Sequence, residues 1–249
     1  MTHIVFGGSN GIGREIVSQF IKNEDNDIII VDASASFHSL DRSYIGDISS
    51  VEFRDYLVSE IKKVPRIRSI TWSIRYRQHK EQDNINILNS ALDVEIISFS
   101  SIINSLDEKI ASDSPSVVLV SSIASSLISS QHFSYNIVKS AGIAAVRAFA
   151  VKYGEVSRAR FNCVSPGIVS FNAVDLGALN SKDHLDTLRK SAIPRLLPVT
   201  ASEIAKLCQF LVSPDSSALN GANIIADGGE SLLDQYYVAQ RTQHNLKDE

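Results

Sequence analysis

Ile4-Val5-Phe6-Gly7-Gly8-Ser9-Asn10-Gly11-Ile12-Gly13 carries a short apolar run into a glycine-rich turn, and residues 14–22 continue with helical periodicity. Strand, glycine turn and helix is the setting a phosphate-binding loop needs. Glycines let the backbone turn tightly and approach a pyrophosphate, while the helix N-terminus offers free N–H groups and the positive end of a dipole. The spacing, Gly-x-x-x-Gly-x-Gly, is a variant of the commoner dinucleotide fingerprint. A ligand-free glycine turn would share the composition, and the flanking strand and helix favour the binding reading. Residues 27–31 read as a second buried strand with Asp32 at its end. An acidic residue about 20 positions past the glycines is placed to accept hydrogen bonds from ribose hydroxyls.

The alternation continues outward from this unit. Residues 43–46 read as a short third strand, followed by Asp47-Ile48. A helix is expected over 51–63, stopped by Pro65, then a fourth strand over 67–74. Residues 85–110 are largely helical in pattern, and 117–120 form a fifth strand leading into Ser121 and Ser122. A long helix over 133–153 precedes a sixth strand, 160–164, which ends in Ser165-Pro166-Gly167. Thr200-x-x-Glu203 is a capping box opening a helix to about Val212, and 223–226 form a last strand closed by Asp227-Gly228-Gly229. Strands alternating with helices throughout predict an α/β fold: one Rossmann-like, doubly wound domain with a mainly parallel sheet and helices on both faces. The domain is expected over 1–229, with 230–249 as a C-terminal extension.

The chain has 249 residues, a formal charge of −4, 44% hydrophobic and 21% charged residues, as in an ordinary globular protein with a large core. Mild acidity argues against a nucleic-acid surface. The basic group Arg75, Arg77, His79 and Lys80 is followed by Glu81 and Asp83 and reads as a solvated loop. Cys163 and Cys208 are expected to be reduced core residues. The histidines show no metal-binding spacing, so no metal is expected. Individual apolar runs are short, and the chain enters a strand at once, so no membrane association and a cytoplasmic location are expected.

Tyr135 and Lys139 carry the chemistry. Four apart on a helix, they leave the same face one turn from each other. An ammonium one turn from a phenol favours its phenolate. The pair can therefore move a proton in a carbonyl/alcohol interconversion. An ordinary surface helix could also carry a Tyr and a Lys at this spacing, and Ser122 together with the glycine turn weighs against that.

Taken together, the chain up to Gly229 resembles the short-chain dehydrogenase/reductases. The landmarks stand in family order: Gly7–Gly13, Asp47-Ile48, Ser122, Tyr135 with Lys139, Pro166-Gly167 and Asp227-Gly228-Gly229. The resemblance implies a seven-stranded sheet, a nicotinamide cofactor and a homodimer or homotetramer. It implies that Gly7, Gly11 and Gly13, with Ser9, Asn10 and Ile12 in the same turn, cradle the pyrophosphate. By the same resemblance Asp32 binds the adenosine ribose, Asp47 and Ile48 flank the adenine, and Pro166, Gly167 and Val169 pass the nicotinamide. Tyr135 would be the acid/base, Ser122 would hold the substrate oxygen, and Lys139 would bind the nicotinamide ribose and tune Tyr135. Asp32 favours NAD(H) over NADP(H), because it would repel a 2′-phosphate. The implied reaction is hydride transfer between a secondary alcohol and a ketone on a small-molecule substrate.

The chain also departs from the family pattern. Trp72-Ser73-Ile74-Arg75 stands where the family has Asn-Asn-Ala-Gly, and Phe6 where the turn usually has a hydroxyl residue. Asp93 takes the place expected for a catalytic asparagine, and Phe171 that of a threonine unless Ser170 substitutes for it. Phe171, Asn172, Leu176 and Leu179 lie in the segment expected to cover the substrate. These departures keep two rivals open: a dehydratase or isomerase on the same scaffold, and a cofactor-binding protein without catalysis.

Overall fold

Strands buried on both faces need apolar residues at nearly every position, and alternate side chains then enter different layers. In β1 (Thr2–Phe6), Ile4 and Phe6 join one core cluster while Val5 joins the other. The same division separates Ile29 and Val31 from Ile28 and Ile30 in β2 (Ile28–Asp32). These observations come from a computed structural model, which describes residues 1–35, 42–77, 84–128, 133–170 and 191–247.

The elements follow in chain order as α1 (Gly11–Lys22), β3 (Ser43–Ile45), α2 (Val51–Lys62), β4 (Ile67–Trp72) and α3 (Asn84–Leu92). A π-helical turn (Asp93–Ile97) then leads into α4 (Ser98–Ser105), α5 (Asp107–Asp113) and β5 (Ser116–Val120). After them come α6 (Phe133–Gly154), β6 (Arg160–Pro166), β7 (Val169–Ser170), β8 (Val199–Thr200), α7 (Ala201–Val212), β9 (Asn223–Ala226) and α8 (Gln235–Lys247). The seven-stranded sheet has the order β3-β2-β1-β4-β5-β6-β9, and every pairing in it is parallel. This is the doubly wound arrangement. Its order reverses between β1 and β4, and that switch point opens a crevice at the carboxyl ends of the strands.

The expected α/β architecture is therefore present, with two refinements. The helical stretch expected over 85–110 is broken into α3, the π turn, α4 and α5. A separate pair, β7 with β8, joins Val169 to Val199 and Ser170 to Thr200. The run Asn84–Ser105 is long and apolar enough to cross a bilayer by composition. Here it packs on α6 and buries Glu95 and Ser98 in polar contacts, as a core helix does. The capping box is present as predicted, with the Thr200 hydroxyl accepting from Glu203 N–H and the Glu203 carboxylate accepting from Thr200 N–H.

Candidate active site

The glycine turn sits at the switch point. Gly7 and Gly11 hold φ of 79° and 57°, the left-handed region that glycine enters without penalty. A Cβ at Gly13 would overlap the Gly7 carbonyl oxygen and the Ser73 hydroxyl. The turn is thus closed as tightly as backbone allows. Ser73 Oγ donates to the carbonyl of Phe6 at 2.9 Å, so the residue after β4 braces the turn from below. Phe6 and Trp72 pack with ring centroids 4.5 Å apart and their planes tilted by 31°. The two departures at these positions are a single one: an aromatic pair fills the space, and Ser73 supplies the hydrogen bond.

Helix α1 starts at Gly11. Its N-cap, Asn10, makes no side-chain capping bond, and no acidic residue lies in its first turn. The orphan N–H groups and the dipole's positive end are left for an anion. Asp32 Oδ2 accepts from Ser9 N–H at 2.9 Å, and Oδ1 accepts from Ser34 N–H at 3.2 Å. Ser9 Oγ donates to the Ser34 carbonyl at 3.0 Å, tying the turn to the end of β2. Oδ1 also accepts from Ser34 Oγ at 3.3 Å, so it is Oδ2 that keeps acceptor capacity for a ribose hydroxyl. These residues fit the phosphates and adenosine of a dinucleotide. Asp47 is exposed and closes a local turn by accepting from Ser49 N–H, while Ile48 is a core residue whose carbonyl accepts from Arg54 and Ser98.

The catalytic candidates come from β5 and α6. Ser122 follows β5, is buried, accepts from Ala124 N–H at 3.2 Å and lies 3.5 Å from the Pro166 carbonyl. Four bonds fasten α6 to this loop. Ser121 Oγ donates to the Lys139 carbonyl, Asn136 Nδ2 to the carbonyls of Ala124 and Leu127, and Ser140 Oγ to the Ser125 carbonyl. Tyr135 and Lys139 therefore share one face, with Lys139 Nζ 5.5 Å from the Tyr135 ring centroid. Nζ also makes a buried ion pair with Glu95 Oε2 at 2.7 Å.

That pair corrects the assignment of Asp93. Asp93 points to Arg54, with Oδ1 4.0 Å from Nη1, and its side chain is 40% exposed. Glu95 is the residue that meets Lys139, and its other oxygen accepts from Tyr76 N–H at 2.8 Å. Two residues along a helix are nearly opposite in direction, so a register error of two moves a side chain to the wrong face. The apolar pattern held the signal: Ala91, Phe99 and Ile102 face inward, and position 95 is one turn from both 91 and 99.

Arg75 was read as part of a solvated loop. It is exposed, but its guanidinium carbon lies 4.6 Å from the Tyr135 ring centroid. At the end of β6, a Cβ at Gly167 would overlap the Glu230 carboxylate. Glu230 Oε2 accepts from Ile168 N–H at 3.0 Å, and burial, with Asp227 alongside, pushes its carboxyl above the ordinary value. Val169 is held in β7. His79, Lys80, Phe171, Asn172, Leu176 and Leu179 lie outside the described residues. Cys163 and Cys208 are free and buried, and burial pushes each thiol up to about 12, so neither is a reactive nucleophile.

A family model described as enoyl-(acyl carrier protein) reductase matches residues 7–231. The chain is 26% identical over 244 residues to the 3-oxoacyl-[acyl-carrier-protein] reductase FabG of Chlamydia pneumoniae, covering 91% of this chain and 95% of that protein. It is 34% identical over 125 residues to protein MoaE of Klebsiella aerogenes, a match spanning 47% of this chain and 48% of MoaE. Among solved structures, a short chain dehydrogenase family protein from Francisella tularensis superposes with a TM-score of 0.79 at 24% identity, over 93% of this chain and 99% of that one.

Proposed function

The chain belongs to the short-chain dehydrogenase/reductase family of oxidoreductases, and on that premise we propose that it interconverts a secondary alcohol and a ketone with NAD(H). The observation that carries this reading is the placement of Tyr135 and Lys139 on one face of α6, fastened to the loop that holds Ser122. The glycine turn and the bare N-terminus of α1 would hold the pyrophosphate, and Asp32 a ribose hydroxyl. Ser9, Asn10 and Ile12 would line the turn, with Asp47 and the Ile48 backbone bordering the adenine. Pro166, Gly167 and Val169 would border the nicotinamide ring. When bound, the cofactor supplies or takes up the hydride.

The protein's own part is proton transfer and orientation. In reduction the Tyr135 hydroxyl gives its proton to the carbonyl oxygen, and in oxidation the phenolate removes the alcohol proton. Ser122 Oγ donates to the same oxygen and fixes its direction. Lys139 spends one N–H on Glu95 and keeps others for a ribose. The substrate is proposed to be a small carbonyl or alcohol compound, and the enzyme a homodimer or homotetramer. A panel of ketones and secondary alcohols, followed by the absorbance of the reduced cofactor, tests the reading. Tyr135→Phe should reduce turnover ~10²–10⁴-fold while leaving cofactor affinity within a few-fold. Unchanged turnover in that variant would sink the assignment.

One observation favours a second reading. Glu95 neutralises Lys139, and Arg75 stands over Tyr135, so the site is more crowded with charge than the family pattern implies. A dehydratase or isomerase, or a cofactor-binding protein without catalysis, would accommodate this. Tight cofactor binding with no oxidation or reduction of any compound in the panel would favour those rivals.

A further inference from the structure

After β6 the chain leaves the main sheet and enters the small one through a single residue. Gly167 N–H still donates to the Ala226 carbonyl at 3.2 Å, which extends the β6–β9 ladder by one bond. Val169 already belongs to β7. Ile168 lies between them, and its two backbone groups have different partners. Its carbonyl accepts from Val199 N–H at 3.2 Å, and its N–H donates to Glu230 Oε2 at 3.0 Å. A pair of two-residue strands is marginal alone. The Glu230 side chain adds the bond that joins one ladder to the other.

Glu230 is itself held in place. Gly228 and Gly229, at φ of 65° and 89°, turn the chain back after β9. Glu230 N–H then donates to the Asp227 carbonyl at 3.2 Å, while the Asp227 carboxylate accepts from Gly229 N–H at 2.8 Å and Ser231 N–H at 2.7 Å. The half-buried Glu230 carboxylate lies against Gly167, where a Cβ would overlap both it and Asp227. Burial makes the charge unfavourable there, whereas the bond to Ile168 needs only an acceptor oxygen.

We infer that Glu230 is a positioning residue for the nicotinamide end of the site. By holding Ile168 it sets the placement of Val169, whose own N–H and carbonyl lie on the edge away from β8. The inference rests on the cofactor reading proposed above. It assigns the support of that end to a side chain just beyond the Asp227-Gly228-Gly229 landmark.

The test compares two ligands and needs no substrate. NADH and ADP-ribose are titrated calorimetrically; ADP-ribose has the adenosine and pyrophosphate but lacks the nicotinamide. The wild type should bind NADH more tightly than ADP-ribose. Glu230→Ala should weaken NADH about tenfold and leave ADP-ribose within about twofold, the loss of one hydrogen bond to a charged group felt at one end only. Glu230→Asp keeps the charge but is one methylene shorter, and it should lose NADH affinity as Glu230→Ala does. Glu230→Gln keeps an acceptor oxygen at full reach and should hold NADH within about threefold of the wild type. Retained ADP-ribose binding shows that a variant is folded; if Glu230→Ala is not, the Asp and Gln variants decide the matter. Equal losses for both ligands, or an NADH affinity that Glu230→Ala and Glu230→Asp leave unmoved, overturn the inference and leave the cofactor reading standing. A wild type that binds NADH no more tightly than ADP-ribose also overturns it. A wild type that binds neither ligand removes the cofactor reading, and the positioning role with it.

Discussion

Asp32 uses both carboxylate oxygens to hold Ser9 and Ser34, with Oδ1 accepting from both the N–H and the hydroxyl of Ser34, while Oδ2 accepts from Ser9 N–H and keeps acceptor capacity. A 2′-phosphate brought there would meet its charge. The expected outcome is tighter binding of NAD(H) than NADP(H) in direct titrations, and the reverse order would refute the preference. Asp32→Ala should weaken NAD(H) binding ~10–100-fold, the worth of one hydrogen bond to a charged group. His3 gives a prediction of another kind. It is buried, shares a 2.6 Å hydrogen bond with Ser69 and stacks on Phe20 at 4.1 Å. Burial lowers its pKa to about 4, although Asp25, 3.7 Å from Nε2, opposes the shift. The unfolded chain takes up a proton near pH 6.5 and the folded chain only near 4, so stability falls as pH drops through that window, by up to about 3 kcal/mol. Urea unfolding at both ends of the window should show this loss, and His3→Leu should flatten it. At this scale the sequence offered Ser122, Tyr135 and Lys139 as candidates from spacing and family order, and the structure brings Tyr135 and Lys139 onto one face of α6. It missed Glu95, which lies on the buried stripe one turn from both Ala91 and Phe99.

The strand–turn–helix unit was legible from composition because no other residue can replace glycine where the chain crosses itself. Gly13→Ala would force the turn open against Gly7 and Ser73. It should cost at least ~10-fold in cofactor affinity, read by the same titrations, and lower the melting temperature by several degrees. The capping box of α7 was equally legible, since Thr and Glu at this spacing satisfy two orphan N–H groups reciprocally. Arg195 adds two bonds to Glu203, and with them holds its carboxyl down to about 2. Thr200→Ala should cost ~1 kcal/mol in chemical unfolding. The π turn at Asp93–Ile97 was not legible. One extra residue in a helical ring leaves the apolar pattern almost intact while shifting everything after it. The β7–β8 pair escaped for a simpler reason: two residues per strand are too few to show alternation.

Over the whole molecule, the small residues of α6 face in two directions. Gly142 faces the chain's own sheet, where a Cβ would press on Leu119. Ala144 and Ala148 face outward with Phe133, Ile137 and Val151, the last 66% exposed. An apolar stripe along a long helix is a surface that a second copy can cover by two-fold symmetry. Sedimentation at micromolar concentration should show a homodimer or homotetramer, and Ile137→Glu with Val151→Glu should shift it toward monomer; a monomeric wild type would contradict this. The layered sheet was legible throughout, because parallel strands buried on both faces have an unmistakable composition. The substrate was not, since a pocket's selectivity depends on which side chains converge from distant segments. The brace beneath the glycine turn has one more consequence. Trp72 is the chain's one tryptophan, buried against Phe6 and followed directly by the serine that supports the turn. The protein thus carries an intrinsic optical reporter at the floor of its crevice. Its fluorescence should be blue-shifted in the folded state, and a reduced nicotinamide nearby should quench it by energy transfer. Occupancy of the site can then be followed by light alone, without a label and before any substrate is known.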